Sequence, residues 1–329
     1  MAKKKVLIIV NPVAGGSRGA EGLEEARKVL KSAGWSVVIR FTDAPGEASS
    51  LAYAGVLEGF DMILAAGGDG TIGQVVDGIL SAPGDPAEKP QMGILPMGTG
   101  NVLAKDLGYP IPNPIKPVVC REAAEVILDG TVYLVDAGRA NGKHFLSWCG
   151  VGFDAKVTQD VESNPEQKKR LGKAAFVVAG MIAINTYKGF KANIIVDGEE
   201  TTKNAVMILI SNIQLYARFV RVAEDAKIDD GLLDVYVFEG KRGIAIAKHI
   251  AGLLLKPSLK FKPPDVTYFR GKHIEIKGKD PIPIHLDAEP YGLTPLYVDV
   301  VPRSLRLVIP RPSERLFIAG KVKQKGVSV

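Results

Sequence analysis

The chain of 329 residues lacks the cysteine pattern of several protein classes. It contains only Cys120 and Cys149, and no Cys-x-x-Cys spacing occurs. Neither a disulfide framework nor a cysteine zinc site is therefore expected. We predict two buried thiols, which fits a reducing cytoplasm.

Long apolar runs are also missing. Residues 6–10 form too short a run for the core of a signal peptide. Residues 174–187 and 243–255 fall short of the roughly 20 residues that a membrane-spanning helix needs. We expect no membrane span. The run at 174–184 is expected to be a helix buried in a core, and the alternative is that it lines an apolar substrate cleft.

Two nucleotide-binding motifs are absent as well. The chain has no GxxxxGK[ST], which argues against a P-loop NTPase. No GxGxxG follows the first predicted strand, so a dinucleotide dehydrogenase has little support.

The remaining composition is that of a globular protein with room for two domains, 46% hydrophobic and 24% charged. Over residues 1–135, short apolar runs alternate with helical segments, which predicts an α/β, Rossmann-like domain with a mostly parallel sheet. From residue 136 to 302, strands follow one another with few helices, which predicts an antiparallel β-sandwich.

The predicted strands of the first domain are residues 6–10, 37–41, 62–66, 92–95 and 132–135. Its predicted helices are residues 21–32, 47–57, 72–80, 102–107 and 118–128. In the second domain we predict strands at residues 191–196, 206–210, 233–238, 274–277, 282–286 and 297–300, and helices at 167–187 and 242–255.

Glycine-containing turns follow three strands of the first domain, at residues 11–16, 67–71 and 98–101. Because the carboxyl ends of parallel strands share one edge of a sheet, these turns predict one ligand site. Glycine lets the backbone approach an anion closely, and amides at a helix N-terminus attract phosphate.

The central turn, Gly67-Gly68-Asp69-Gly70-Thr71, suits phosphate best. Thr71 is predicted to cap the next helix, with Gln74 completing a capping box. Asp69 has no basic neighbour in the sequence, so among phosphates it would need a cation, for which Mg²⁺ is the natural candidate. Phosphoryl transfer would then depend on positioning and charge neutralisation.

Five short motifs occur in a fixed order along the chain. GGDGT at residues 67–71 is preceded by NPxxG at 11–15 and followed by GTGN at 98–101, and DDGLLDV at 229–235 and DAEP at 287–290 come later. Together these motifs resemble the diacylglycerol kinase catalytic family, which includes bacterial lipid kinases and sphingosine kinases. GGDGT alone is shared with NAD kinases.

The resemblance implies a two-domain kinase with its active site in the interdomain cleft, and residues 303–320 returning to the first domain. It implies ATP binding by Asn11, Pro12, Val13, Ala14, Gly15, Thr42, Gly67, Gly68, Asp69, Gly70, Thr71, Ile72, Gly73, Thr99 and Asn101. It also implies a second-domain Mg²⁺ held by Asp230 and the backbone carbonyls of Lys227 and Leu232.

Catalytic roles are implied by the same resemblance. Asp69 would serve the Mg²⁺-nucleotide centre. A general base for the lipid hydroxyl would lie in the segment 287–289, where Asp287 is favoured over Glu289.

Two segments depart from the family pattern. Ala288 replaces its middle glycine, so that the backbone either differs there or lies in an ordinary region that accepts alanine. Residues 212–221, NIQLYARFVR, lack the paired glycines often found there. That segment could face a lipid or form a helix or covering loop.

The leading hypothesis is an ATP- and Mg²⁺-dependent lipid kinase that converts diacylglycerol to phosphatidate. The net charge of +6 favours anionic partners. We expect a cytoplasmic protein in peripheral contact with a membrane surface, with no nucleic-acid partner, and a homodimer is compatible with these features. The alternatives are an NAD kinase and a non-catalytic nucleotide-binding regulator with the same fold.

Overall fold

The structure is a computed structural model that describes residues 3–16, 19–164, 174–216, 220–255, 265–310 and 316–317. Contacts divide the chain into two compact units. The first domain comprises Met1–Ala137, Ile228–Asp230 and Pro302–Val329, and the second comprises Gly138–Lys227 and Gly231–Val301.

The first domain alternates strands with helices along the chain. Its elements are β1 (Lys5–Val10), α1 (Gly19–Ser32), β2 (Ser36–Phe41), α2 (Glu47–Leu57), β3 (Met62–Gly67), α3 (Asp69–Ser81), β4 (Gln91–Pro96), α4 (Val102–Leu107) and α5 (Cys120–Asp129). The strands pair in parallel in the order β2-β1-β3-β4. Every residue of β3 is buried, as expected for a parallel strand covered on both faces.

Strand β5 (Thr131–Ala140) leads from the first domain into the second. The elements that follow are β6 (Lys143–Phe145), β7 (Trp148–Gly152), α6 (Phe153–Glu162), α7 (Ala174–Thr186), β8 (Phe190–Val196), β9 (Glu199–Ser211), β10 (Leu215–Tyr216), β11 (Val220–Arg221), β12 (Leu233–Glu239), α8 (Ile244–Leu255), β13 (Val266–Gly271), β14 (His273–Gly278), β15 (Pro283–Leu286), β16 (Glu289–Leu293) and β17 (Leu296–Ile309).

Antiparallel pairs build the second domain. Strand β9 pairs with β7, β8 and β12, and β15 pairs with β7 and β16. Their apolar side chains form one buried cluster that includes Phe145, Ile208 and Ile276. The predicted fold class, a parallel α/β domain followed by an antiparallel β-sandwich, is confirmed.

Some local predictions are wrong. The strand predicted at 297–300 is only the first part of a longer strand, β17, which continues to Ile309 because Arg303 bends the chain at φ 48° without ending it. The segment 212–221 contains the hairpin of β10 and β11 rather than a helix, with residues 217–219 outside the described part. Cys120 and Cys149 are buried and free, as expected.

The helix predicted at residues 167–187 is described from Ala174 onward as α7, and residues 165–173 lie outside the described part. Met181 and Ile182 are 56% and 62% exposed, so the prediction of a helix buried in a core is wrong for this part of the run. In the part of the chain that the structure describes, no helix is both long and apolar enough to cross a membrane.

Candidate active site

The carboxyl ends of β1 and β3 define the first candidate site. In an open α/β sheet, ligands bind beyond the carboxyl ends of the strands, where the strand order reverses. The order β2-β1-β3-β4 reverses between β1 and β3. The segments that leave these two strands begin at Asn11 and Gly68.

Asn11 links the turn after β1 to helix α3. Its backbone N–H donates to the Ala66 carbonyl at 3.0 Å, and its side-chain amide donates to Thr71 Oγ1 at 3.3 Å. Its side-chain carbonyl accepts from the Val13 N–H at 3.1 Å. One asparagine therefore fixes the NPxxG turn against the first turn of α3.

Thr71 does not cap α3, so the predicted capping box with Gln74 is wrong. The helix begins at Asp69, its N-cap is Gly68, and no side chain caps it. Thr71 lies inside the first helical turn, where it is buried and accepts the hydrogen bond from Asn11. The helix begins earlier than predicted because Gly68 is extended and Asp69 is already helical.

The turns after β3 and β4 are in direct backbone contact. The Gly98 N–H donates to the Gly67 carbonyl at 3.1 Å. A Cβ atom on Gly98 would lie 2.3 Å from the Cα atom of Gly68, closer than real Cβ contacts occur. Any side chain at Gly98 would push the two turns apart, so glycine is required there.

Asp69 fixes the turn after β4. Its Oδ1 accepts from the backbone N–H groups of Val102 at 2.8 Å and Leu103 at 3.2 Å, at the start of α4. These donors stabilise the carboxylate charge that the sequence left without a partner. Asp69 is only half-buried, in contrast to the core residues of β3.

Asn101 shapes the same turn from within. It adopts a left-handed conformation with φ 52°, and its side chain is buried. Its Oδ1 accepts from the Gly98 N–H at 3.0 Å, while its Nδ2 donates to the Gly98 carbonyl at 2.6 Å. Thr99 is exposed at the tip of this turn.

Most residues predicted to bind ATP gather at this edge. Thr42 is beside the end of β1, where its N–H donates to the Val10 carbonyl at 2.9 Å. Pro12, Val13 and Gly15 are exposed in the first turn. Ile72 differs, because its side chain is buried in the core and its N–H donates to the Gly68 carbonyl. The other members of the set are Ala14 in the first turn and Gly70 and Gly73 in α3.

The predicted magnesium ligands lie in the loop before β12. Lys227, Asp230 and Leu232 are half-buried, and Gly231 between them has φ 73°. A carboxylate with backbone carbonyls is a donor set of the hard oxygen type that Mg²⁺ prefers. Among the described residues no group of three or more His, Cys, Asp or Glu could hold a metal ion, so carbonyls and water would have to complete the shell.

In the second domain, Asp287 and Ala288 form a tight turn between β15 and β16. Their φ angles are 46° and 67°, and Leu286 pairs with Glu289 across the turn. Two successive left-handed residues are typical of a type I′ turn. The suggestion that Ala288 lies in an ordinary backbone region is wrong: alanine takes a left-handed conformation that suits glycine.

The Asp287 carboxylate is buried and accepts three backbone hydrogen bonds. Oδ2 accepts from Leu146 at 2.8 Å, and Oδ1 accepts from Ser147 at 2.8 Å and Trp148 at 3.0 Å. Burial raises the pKa of Asp287, and these donors act in the opposite direction. Glu289 is half-buried at the start of β16. The general-base role stays a prediction for both acids.

A buried polar network beside this turn was missed by the sequence analysis. Asp154 Oδ2 accepts from the Tyr216 hydroxyl at 3.1 Å and lies 2.9 Å from His285 Nε2. A Cβ atom on Gly150 would lie 2.2 Å from His285 Nε2, so glycine makes room for the pair. Burial, reinforced by Asp154, raises the pKa of Tyr216 well above its ordinary value.

No local motif marks this network, because its members are 62 and 131 residues apart in the sequence. His285 lies two residues before Asp287, so its contact with Asp154 anchors the strand that enters the acidic turn. Its Nδ1 is buried and has no hydrogen-bond partner among the described residues.

Two family models match the chain, one on each side of residue 140. Residues 5–140 match the diacylglycerol kinase catalytic domain. Residues 147–309 match the YegS C-terminal NAD kinase beta sandwich-like domain.

Individual proteins match over nearly the whole length. The chain is 28% identical to the diacylglycerol kinase of Bacillus subtilis (strain 168) over 308 residues, which are 94% of the chain and 97% of the relative. It is 30% identical to a diacylglycerol kinase of Staphylococcus aureus (strain bovine RF122 / ET3-1) over 293 residues, 89% of the chain and 88% of the relative. A crystal structure of a diacylglycerol kinase from Bacillus anthracis str. Sterne superposes with a TM-score of 0.74 at 26% identity, covering 94% and 98% of the two chains.

Proposed function

Because the chain belongs to the diacylglycerol kinase catalytic family, we propose that it is an ATP-dependent lipid kinase that converts diacylglycerol to phosphatidate. The observation that carries the proposal is the meeting of glycine turns at the β1–β3 edge, held by Asn11, Asp69 and Asn101. The names of the relatives support diacylglycerol as the acceptor.

The nucleotide half of the proposal depends on backbone groups. Helix α3 has 13 residues, and its N-terminus begins at Gly68 and Asp69 with no capping side chain. The amides of such an N-terminus favour a phosphate group, and adjacent glycines let it approach. The triphosphate of ATP would therefore lie over Gly68, with the exposed turn 12–15 beside it.

Mg²⁺ would neutralise phosphate charge during transfer. Asp69 would serve the metal-nucleotide centre, and the hydrogen bonds from Val102 and Leu103 to its Oδ1 support this role by fixing the carboxylate. Asp230, with the carbonyls of Lys227 and Leu232, would hold a second ion. Each residue supplies oxygen, the donor that Mg²⁺ prefers.

The transfer step needs a base for the acceptor hydroxyl. The hydroxyl oxygen would form a bond to the γ-phosphorus while the bond from that phosphorus to the bridging oxygen breaks, releasing ADP. Asp287 is the proposed proton acceptor, with Glu289 as the other candidate. A carboxylate has about four lone-pair sites, and Asp287 uses three of them on backbone N–H groups.

The acceptor also determines where the protein works. Diacylglycerol resides in membranes, so we propose peripheral contact with a membrane surface. The cytoplasmic location, the homodimer, the absence of a nucleic-acid partner and an active site between the domains stay predictions.

The decisive experiment is a radiolabelled-ATP assay with Mg²⁺ on lipids in detergent micelles. The panel contains diacylglycerol, sphingosine, ceramide and phosphatidylglycerol, and a separate reaction contains NAD. We expect label in phosphatidate. Label in NADP alone would identify an NAD kinase, and no labelled product in any reaction would favour a non-catalytic regulator; either result overturns the proposal.

Gly98→Ala tests the nucleotide half separately. The new methyl group would force apart the turns at Gly68 and Gly98, so we expect ATP to bind at least about tenfold more weakly. Gly180→Ala is the matched control, because the space around Gly180 is open. Isothermal titration with a non-hydrolysable ATP analogue measures the affinity of both variants. Equal affinities of Gly98→Ala and Gly180→Ala would contradict the proposed nucleotide site.

A further inference from the structure

Helix α7 presents apolar side chains on its exposed side. Its sequence, AAFVVAGMIAINT, has no charged residue. Ala183 is buried, whereas Met181 is 56% exposed and Ile182 is 62% exposed. A helix on the surface of a globular domain ordinarily has polar residues at such positions. This side of α7 therefore lacks a covering partner among the described residues.

The start of α8 extends the apolar area. The Gly243 N–H donates to the Tyr187 carbonyl at 2.9 Å, and a Cβ atom on Gly243 would lie 2.3 Å from the Ile184 carbonyl oxygen. The two helix ends are therefore in backbone contact. Ile244, the first residue of α8, is 67% exposed beside the end of α7.

Exposed cations border this apolar area. Lys188 and Arg242 form a backbone bridge, and Lys241 precedes Arg242. All three side chains are exposed and form no ion pair with a described carboxylate. Lys248 is different, because its ammonium group is 2.6 Å from Asp265.

The sequence on either side of the helices is also basic, with Lys168, Lys169, Arg170 and Lys173 before α7 and Lys256, Lys260 and Lys262 after α8. These residues lie outside the described part of the chain and are not counted as part of the surface.

The polar side chains at the end of α7 are already hydrogen-bonded. Asn185 Nδ2 donates to the Met181 carbonyl at 3.2 Å, and Thr186 Oγ1 donates to the Ile182 carbonyl at 3.4 Å. Removing a polar group from water costs little when its hydrogen bonds are made within the protein. These two bonds lower the cost of moving this end of the helix out of water, because they satisfy part of the hydrogen-bonding capacity of the two side chains.

We propose that an apolar and basic surface of the second domain docks on anionic lipid bilayers. This docking surface consists of Met181, Ile182, Ile244, Lys188, Lys241 and Arg242. The inference rests on the proposed function, since a lipid kinase must reach an acceptor that stays in the membrane. Apolar side chains enter the boundary between headgroups and acyl chains, and each cation near an anionic surface strengthens binding about fivefold.

Vesicle sedimentation tests the docking surface. The probes are vesicles of phosphatidylcholine alone and of an equimolar mixture with phosphatidylglycerol. We expect the wild-type protein to prefer the anionic vesicles. Met181→Ser with Ile182→Ser should weaken binding to them severalfold, and Lys241→Gln with Arg242→Gln should weaken it about 25-fold, fivefold per cation.

Two control pairs match these changes. Leu57→Ser with Ile115→Ser removes apolar side chains that are 61% and 96% exposed in the first domain. Lys272→Gln with Lys279→Gln lowers the net charge equally at exposed turns of the second domain. Both controls should bind like the wild type.

Equal binding by surface variants and controls would overturn the docking surface, as would a wild-type protein without preference for anionic vesicles. An assay of diacylglycerol phosphorylation in detergent micelles distinguishes a failure of the docking surface from a failure of the proposed kinase function. Normal micellar activity with no vesicle preference refutes only the docking surface. Vesicle binding that depends on the surface residues, without lipid phosphorylation, supports the docking surface and refutes the kinase proposal.

Discussion

Asp69 and Asp287, one in each domain, are both held by backbone N–H groups, but in different surroundings. Asp69 is half-buried and accepts through Oδ1 from Val102 and Leu103. Asp287 is buried and accepts through both oxygens from residues 146–148. A half-buried carboxylate at the end of a strand can reach a ligand, whereas a buried carboxylate that binds three backbone N–H groups is also part of the fold. The loss of Asp69 should therefore affect mainly activity, and the loss of Asp287 should first affect stability.

The largest expected effect is that of Asp287→Ala on stability. The substitution leaves three buried N–H groups without an acceptor. We expect the free energy of unfolding to fall by roughly 3–5 kcal/mol, since each unsatisfied buried donor costs about 1–3 kcal/mol. Urea denaturation measures the loss.

Asp280→Ala is the control for this prediction. Asp280 is exposed in the turn before β15, and its removal should change stability by no more than about 0.5 kcal/mol. Similar losses for the two variants would refute a structural role for the Asp287 carboxylate.

The next effect is that of Asp69→Asn on activity. Asparagine keeps an oxygen that can accept from Val102 and Leu103, but it lacks the charge. Unfolding free energy should change by less than about 1 kcal/mol. Turnover should fall on the order of 100-fold or more, the scale seen when one stabilising group is lost from an active site.

Asp77→Asn on the same helix serves as the comparison. Asp77 accepts from the hydroxyl groups of Ser49 and Ser81, away from the start of the helix. The Asp77→Asn variant should retain wild-type activity at saturating ATP in the radiolabel assay. Full activity of Asp69→Asn would exclude a catalytic need for that charge.

A smaller effect is expected at the turn itself. Ala288 has φ 67°, a conformation that glycine adopts without the penalty of a Cβ atom. Ala288→Gly should raise the free energy of unfolding by about 1 kcal/mol. Ala87→Gly, at an exposed position without positive φ, should instead lower it by about 0.5 kcal/mol. Thermal unfolding tests whether Tm rises in Ala288→Gly and falls in Ala87→Gly. A Tm that falls in both variants would contradict the left-handed turn.

The smallest expected effect is on the pH dependence of the unfolding free energy. Burial raises the pKa of Asp287 in the folded state above its ordinary value of 3.8. The stabilisation from its protonated form is therefore complete below the unfolded pKa and is lost as pH rises through the folded pKa. The unfolding free energy of the wild type minus that of Asp287→Asn should decrease as pH rises above 3.8.

Asp299 provides the opposite sign. Its hydrogen bond with His273, together with Arg139, lowers its pKa, so the stability it contributes is lost as pH falls through the folded pKa. The unfolding free energy of the wild type minus that of Asp299→Asn should therefore increase with pH over the acid range. Urea titrations at a series of pH values measure both differences in unfolding free energy. If the two differences changed with pH in the same direction, the raised pKa of Asp287 would be contradicted.

Much of the first domain could be predicted from local patterns of apolar and turn residues. Strand β3, for example, is a continuous apolar run that leads directly into a glycine turn. The contact between Asp69 and the start of α4 could not be predicted, because it joins residues 33 and 34 positions apart. The start of α3 was also missed, since β3 ends at Gly67 and α3 begins at Asp69, with only the N-cap residue Gly68 between them.

The second domain was harder to predict at the level of the site. Asp287 was singled out, but its donors lie about 140 residues earlier in the chain. The network of Asp154, Tyr216 and His285 left no local signal for the same reason. Antiparallel strands bring such residues together through pairing that no short motif records.

The sequence by itself determined the two fold classes, the family and the glycine turns, because apolar periodicity and turn chemistry act over a few residues. The tertiary structure alone decided which groups hold each carboxylate and which side of α7 remains exposed. Hydrogen bonds and burial of this kind depend on distances between segments far apart in the chain. For that reason Asp69 and Asp287, both acids in recognisable motifs, differ in burial and in the segments whose backbone N–H groups hold them.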